Sequence, residues 1–239
     1  MRSNESLKSP RSRRRPAHDG DPGTRERLLR AAAVVFAEQG HEHGTVRDVC
    51  RRAHANVAAV SYHFGSKDRL YLETLRWAMS LTQGEDTAEL LAFAARDGLS
   101  KEERLVGVVR RFALGLLSPR PEWHMRLIFR ELTSPTIAME ALVEEFLAPR
   151  FATLRAAVAP FLPGADDMTV ALHVMSIIGQ ILYHGVFGPV ARRILGVKSY
   201  TPEIAQRIVE HVAAFSLRSL EARKAAGGRK GTRRKGSSS

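Results

Sequence analysis

From Leu28 to Leu220 the apolar residues recur three and four positions apart, and nowhere do they alternate with period two between hairpin turns. That pattern constrains the chain to an all-α fold, because a strand needs the period-two alternation that is missing. Polar caps and breakers divide it into helices. Thr24 reads as an N-cap, with Arg27 at the capping-box position, ahead of Leu28, Leu29, Ala32, Val35 and Phe36, and Gly40 ends that helix. Thr45 caps a short second helix, Asn56 a short third from Val57 to about His63, and Ser66 a longer fourth through Leu70, Leu72, Leu75 and Trp77. Further breaks fall at Gly84, Asp97-Gly98, Ser118-Pro119, Ser134-Pro135, Pro163-Gly164 and Tyr200-Thr201-Pro202.

Two short helices around a tight break suit a DNA reader, since a recognition helix must enter the major groove. Its contact face needs small or polar side chains so that the backbone can approach the bases. Val57, Ala58, Ala59 and Ser61 meet that need. Around them stand phosphate-type donors: Thr45, Arg47, Asn56, Tyr62, His63 and Lys67. The same pattern also fits an ordinary three-helix packing motif.

The run Gly44-Thr45-Val46-Arg47-Asp48-Val49, followed by Ala53 through Tyr62-His63-Phe64-Gly65-Ser66-Lys67-Asp68-Arg69-Leu70, resembles the signature of the TetR family of regulators. The resemblance implies an N-terminal three-helix helix-turn-helix domain over 23–70 and a helical ligand-sensing and dimerisation domain over 71–222. It places Phe64 in the small core between the helices and Lys67 on a phosphate. Where many members have Ala-Gly-Val-Ser, this chain has Ala53-His54-Ala55-Asn56. Either His54 adopts a left-handed turn or the turn differs slightly. Arg130-Glu131-Leu132-Thr133-Ser134-Pro135-Thr136, the pair Pro149-Arg150 and Ser176-Ile177-Ile178-Gly179-Gln180 resemble the C-terminal domain of the CecR-type (YbiH-like) subgroup. That implies a cytoplasmic, nucleoid-associated bacterial repressor that binds a palindromic DNA operator as a homodimer and is released by a small-molecule effector.

A dimer needs an apolar surface, and segments 167–187 and 202–220 are apolar on more than one face. Met175, Ile178, Gly179, Leu182 and Val186 form a stripe that is either the dimer interface or monomer core. An effector pocket needs apolar walls with a few polar groups. Phe112, Trp123, Phe129, Gln180, Tyr183 and His184 are the candidates, with core packing the alternative for Trp123 and Phe129. His124, close behind Pro121, is expected to face solvent near a helix start.

The net charge of +12 supports DNA binding less than it first suggests. Residues 1–23 hold six basic and three acidic side chains, and residues 223–239 hold seven basic and none acidic, which leaves only +2 for everything between. Segments 1–22 and 223–239 read as disordered basic tails, either solvated or lending sequence-independent phosphate attraction. Binding driven by the tails alone would make the chain an architectural protein with little sequence preference. No apolar run approaches the roughly 20 residues of a membrane span, and the polar, Arg-rich start is unlike a secretory leader. Cys50, the single cysteine, falls among core positions and allows no internal disulfide.

No enzyme, cofactor or metal site is expected. His41, Glu42 and His43 are adjacent and project in different directions, and His173 and His184 lie about three helical turns apart. Neither a Gly-rich phosphate loop nor a Gly-x-Ser-x-Gly elbow is present.

Overall fold

The computed structural model describes residues 22–81, 87–117 and 120–232. Among these residues all regular structure is helical. The expected tail at 1–22 therefore lies almost wholly outside the described residues, as does the break at Gly84.

Four helices form the N-terminal unit: α1 (Pro22–His43), α2 (Val46–Ala53), α3 (Val57–Phe64) and α4 (Lys67–Ser80). Three of them begin as the local chemistry dictates. The Thr45 hydroxyl accepts the Asp48 amide at 3.1 Å, Asn56 Oδ1 accepts the Ala59 amide at 2.9 Å, and Ser66 Oγ accepts the Arg69 amide at 3.1 Å. Each bond satisfies an amide that has no carbonyl partner in the first helical turn. The first helix differs from the expectation at its start. It starts at Pro22, so Thr24 lies inside it, fully buried and bonded by Arg27 at 2.8 Å. At its other end Gly40 (φ 79°, ψ 173°) leaves helical geometry, as the sequence leads one to expect, and a further helical turn beyond this kink runs to His43. Arg130 packs against that kink and donates to the Glu38 carbonyl at 3.2 Å.

The core of this unit joins Leu28, Phe36, Val49, Cys50, Val60, Phe64, Leu70 and Leu75. Each large side chain here contributes roughly 1.5–3 kcal/mol by leaving water. Leu127 and Ala138, far along the sequence, belong to the same cluster. The apolar core of the N-terminal unit is therefore continuous with the second half of the chain.

The second half comprises α5 (Thr87–Ala94), α6 (Lys101–Leu117), α7 (Glu122–Thr133), α8 (Met139–Leu142), α9 (Ala148–Val158), α10 (Asp167–Val186), α11 (Gly188–Ile194) and α12 (Pro202–Thr232). A π-helical turn, Val143–Leu147, joins α8 to α9. Its cause is Pro149: in an α-helix the ring would clash with the Glu145 carbonyl, and widening the preceding turn relieves this. Helix α6 packs against α5, α9, α10 and α12 and forms the centre of a second core, through Leu105, Val109, Leu154, Val174, Ile181 and Val209.

Two expectations are corrected here. Helix α12 runs to Thr232, past Arg223 where a disordered tail was expected to begin, and Gly227-Gly228 does not stop it. Helix α10 is, by length and composition, apolar enough to cross a membrane, although no such run was expected. One face of it nevertheless packs into the core through Val170, Val174, Ile177 and Ile181.

Candidate functional site

Helix α3 has two opposed faces. Ala59, Val60 and Phe64 are buried, and Val57, Ala58, Ser61 and Tyr62 face outward, Tyr62 with 74% of its surface exposed. The outward face is the one a groove would meet. Ala59 is 0% exposed, so the expectation that it contacts DNA is corrected: it packs against α1 and α2. His63 is half-buried, in edge contact with Tyr62 at 5.0 Å between rings.

The turn before α3 relies on an unusual backbone. His54 adopts φ 52°, ψ 45°, the left-handed conformation that its place in the sequence allows for, and closes α2 with its amide directed at the Arg51 carbonyl. It is the sole positive-φ residue other than glycine among the described residues.

The donors expected to hold phosphate differ in availability. Arg47 is exposed, and no described residue pairs with it. The Thr45 hydroxyl hydrogen is already engaged, because Oγ1 donates to Asp48 Oδ2 at 2.6 Å while accepting from the Asp48 amide. That hydroxyl, with Arg51 beside it, holds the Asp48 carboxyl below its ordinary range. Asn56 is exposed at the start of α3, with its side-chain oxygen occupied by the cap. Lys67 Nζ donates to the Glu42 carbonyl at 3.0 Å and so clamps α4 to the end of α1. Of the adjacent histidines, His41 meets Asp68 at 2.9 Å. Among the described residues no three of His, Cys, Asp and Glu gather as metal ligands would.

From this surface α4 leads into the second half of the chain, and α7 is fastened along it. The Tyr71 hydroxyl donates to Glu131 Oε2 at 2.7 Å, with both side chains buried. The other Glu131 oxygen accepts the Thr136 amide at 2.9 Å. Burial and this carboxylate push the Tyr71 hydroxyl's pKa far up. Trp77 stacks on Trp123 at 5.5 Å between centroids. Arg76 grips Glu145 of the π turn through two nitrogens, one at 2.8 Å. His124, expected at the surface, is fully buried and bonds the Ala78 carbonyl at 2.7 Å. Burial and the Arg120 charge lower its pKa to about 4, against the opposing pull of that carbonyl.

Behind α7 lies an apolar chamber of about 250 Å³. Met79 of α4 reaches into it, as do Phe112 and Leu116 of α6 and Met125, Ile128 and Phe129 of α7. Ile178, Leu182 and Val186 close it from α10. The structure thus gathers two of the six expected effector residues, Phe112 and Phe129. Trp123 instead fills the seam against α4, Gln180 lines a groove between α10 and α12, and His184 meets Tyr200 at 3.1 Å in a neighbouring pocket. Tyr183 faces outward beside Phe187.

The stripe expected at a dimer interface also divides. Ile178, Leu182 and Val186 line the chamber within the protomer. Met175, 58% exposed, and Gly179 stand on the outer face, with Met168, Leu172 and Tyr183. Helix α10 therefore has three apolar stripes, and sequence periodicity does not tell the chamber stripe from the outer one. Arg150 and Met79 were not foreseen at the chamber. The pair Pro149-Arg150 was the available signal for the first.

The chain matches the family described as bacterial regulatory proteins, tetR family, over residues 28–74. Over residues 101–222 it matches the C-terminal domain of the HTH-type transcriptional dual regulator CecR. It is 28% identical to the dual regulator CecR of Shigella flexneri over 165 residues, covering 66% of this chain and 74% of that one. To the transcriptional repressor NicS of Pseudomonas putida it is 35% identical over 52 residues, 22% of this chain and 24% of the relative. Solved structures share the fold at lower identity. The TetR-family regulator PfmR of Thermus thermophilus superposes with a TM-score of 0.58 at 18% identity, over 81% of this chain and 95% of that one. The regulator FadR of Bacillus subtilis, solved with stearoyl-CoA, superposes with a TM-score of 0.57 at 15% identity, over 79% and 97%.

Proposed function

The chain belongs to the TetR family of transcriptional regulators and carries a CecR-type C-terminal domain, and from that premise we propose that it is a ligand-responsive repressor. It binds a palindromic operator as a homodimer, in the cytoplasm, and leaves the operator when a small molecule occupies the chamber. One observation carries this reading: α4 starts at the DNA-facing turn, clamped there by Lys67, and ends with Met79 in the chamber wall. A ligand that enters the chamber meets the same helix whose first turn frames α3. Occupancy then favours whichever arrangement of α4 and α7 fits the ligand, and the size of the response is set by the difference in affinity between the two arrangements.

Val57, Ala58, Ser61 and Tyr62 are the residues offered to base edges, with Arg47, Asn56 and the amides at the helix starts offered to phosphates. Gel-shift binding to DNA upstream of the gene tests the reading. Arg47→Ala with Tyr62→Ala should weaken binding at least tenfold and lower the salt slope by about one unit for each phosphate that is no longer held. Unchanged affinity and slope in this double variant would remove the proposed surface. Binding that vanishes only when both termini are deleted would favour the architectural alternative.

A further inference from the structure

Helix α3 and its cap run from Asn56 to Phe64 and contain neither Arg, Lys, Gln, Asp nor Glu. In the major groove each base asks for a different side chain. Guanine is held by two donors from Arg or Lys, adenine by the donor and acceptor of one carboxamide, and cytosine by a carboxylate. Thymine adds a C5-methyl group, which an apolar side chain meets. The carboxamide at hand is that of Asn56, and its Oδ1 accepts the Ala59 amide at 2.9 Å. Reading adenine would need the same oxygen for the N6 amino group, so the cap and the readout compete for it. The neighbouring cations are placed for other work. Arg47, Arg51 and Arg52 stand on α2, the helix that crosses the phosphate backbone in this motif, and Lys67 donates to the Glu42 carbonyl. Ser61 and Tyr62 each carry one hydroxyl, which makes a single-point contact and discriminates little.

The first turn of α3 presents aliphatic groups instead, and the N-terminal residues of a recognition helix are the ones that reach base edges. Val57 opens the helix with 50% of its surface exposed, and it belongs to none of the apolar clusters among the described residues. Ala58 is exposed beside it. A β-branched residue has no advantage of helix propensity at an exposed position, and the protomer's core does not use this one. In a groove its stiffness is useful, because a side chain already held in one rotamer loses little entropy on contact. Ala58, which ends at Cβ, lets the helix come close to the base pairs.

We propose that the chain recognises each half-site through the C5-methyl group of a thymine packed on Val57, with Ala58 giving the close approach. The inference rests on α3 being the DNA-reading helix and specifies which base it reads and by what chemistry. Discrimination here comes from an apolar contact, and the phosphate donors around α3 supply affinity and register.

The test begins with selection of a binding sequence by the full chain from a random duplex library. Each thymine of the selected duplex is then replaced in turn by deoxyuridine, which pairs identically and lacks only the methyl group. Anisotropy titration should find a thymine in each half-site whose replacement weakens binding about fourfold, the value of one buried methyl, and about 15-fold when both half-sites are changed. A cytosine at that position should bind more weakly than thymine, and 5-methylcytosine should recover part of the loss. Val57→Ala should weaken the thymine duplex by a similar factor and abolish the uridine effect. A change in DNA shape on losing the methyl group would act equally on both proteins, so this cycle separates the two causes. The substitution removes exposed atoms and improves helix propensity, so the variant folds. Uridine tolerated at every thymine within about twofold overturns the proposal while the DNA-reading surface stands. So does a uridine effect that persists undiminished in Val57→Ala. If the selection yields no preferred sequence, the sequence-specific reading of α3 fails, and this proposal with it.

Discussion

His54 sits where an L-residue is poorly suited, with a left-handed backbone that crowds Cβ against the following carbonyl. Glycine relieves this at some cost in unfolded-chain entropy. His54→Gly should therefore raise the melting temperature by about 2 °C and leave operator binding intact, and His54→Val, β-branched, should lower it. A fall with glycine would mean that the imidazole contributes more than its backbone costs. His124 presents a different balance. Its folded pKa of about 4 lies below the ordinary 6.5, so between these values the unfolded chain binds a proton that the folded chain refuses. Stability conferred by the neutral ring is complete above about pH 6.5 and declines as the pH falls towards 4, at up to about 1.4 kcal/mol per pH unit. His124→Gln keeps a donor for the Ala78 carbonyl without titrating. Denaturant unfolding at a series of pH values should show a flatter decline for this variant in that window, and parallel curves would place the titration elsewhere.

At the scale of elements, the seam between α4 and α7 gives the motif Arg130 to Thr136 a physical role. Glu131 is a buried acceptor shared between Tyr71 and Thr136, and Arg130 caps the kink of α1. Tyr71→Phe leaves Glu131 Oε2 with the Thr136 hydroxyl at 3.0 Å and without its stronger partner across the seam. The loss should destabilise the chain by about 1–3 kcal/mol. If the seam transmits ligand occupancy as proposed, the loss should also make release from DNA by the effector less complete. A variant as stable as the parent, with full release, would separate this bond from both roles. Helix starts were legible in the sequence because a cap is a bond over three residues, as at Thr45, Asn56 and Ser66. The first helix was misjudged because Thr24, a good cap by type, serves as an acceptor for Arg27 inside the helix. The outward face of α3 was mostly legible, but Ala58 and Ala59 have the same side chain and differ only in rotation about the axis, so composition could not separate them. The chamber was largely illegible, because it is built from α4, α6, α7, the π turn and α10, and depends on which of three apolar stripes on α10 turns inward.

Across the whole molecule, that outer stripe remains to be accounted for. Met168, Leu172, Met175 and Tyr183 are exposed along the 20-residue length of α10, with Gly179 among them, and exposed Phe215 of α12 lines the same groove as Leu172. Contiguous apolar surface of this extent marks an interaction site. A Cβ at Gly179 would meet nothing in its own chain, so packing within the protomer does not require glycine there; close approach of another helix is the remaining use. On the proposed reading of two half-sites, a second copy of the chain is the occupant that fits, since each copy would supply one α3 and pairing would set their spacing. Leu172→Glu with Met175→Glu puts two charges into that contact, where neither would find a partner. Both positions are outside the core, so melting of the protomer should change little. Sedimentation equilibrium should report a monomer, and operator affinity should fall by about a hundredfold or more, because the second half-site loses the effective concentration that pairing gives it. A variant that stays dimeric would move the interface elsewhere. One that becomes monomeric yet binds the full operator as tightly would show that each protomer reads DNA alone.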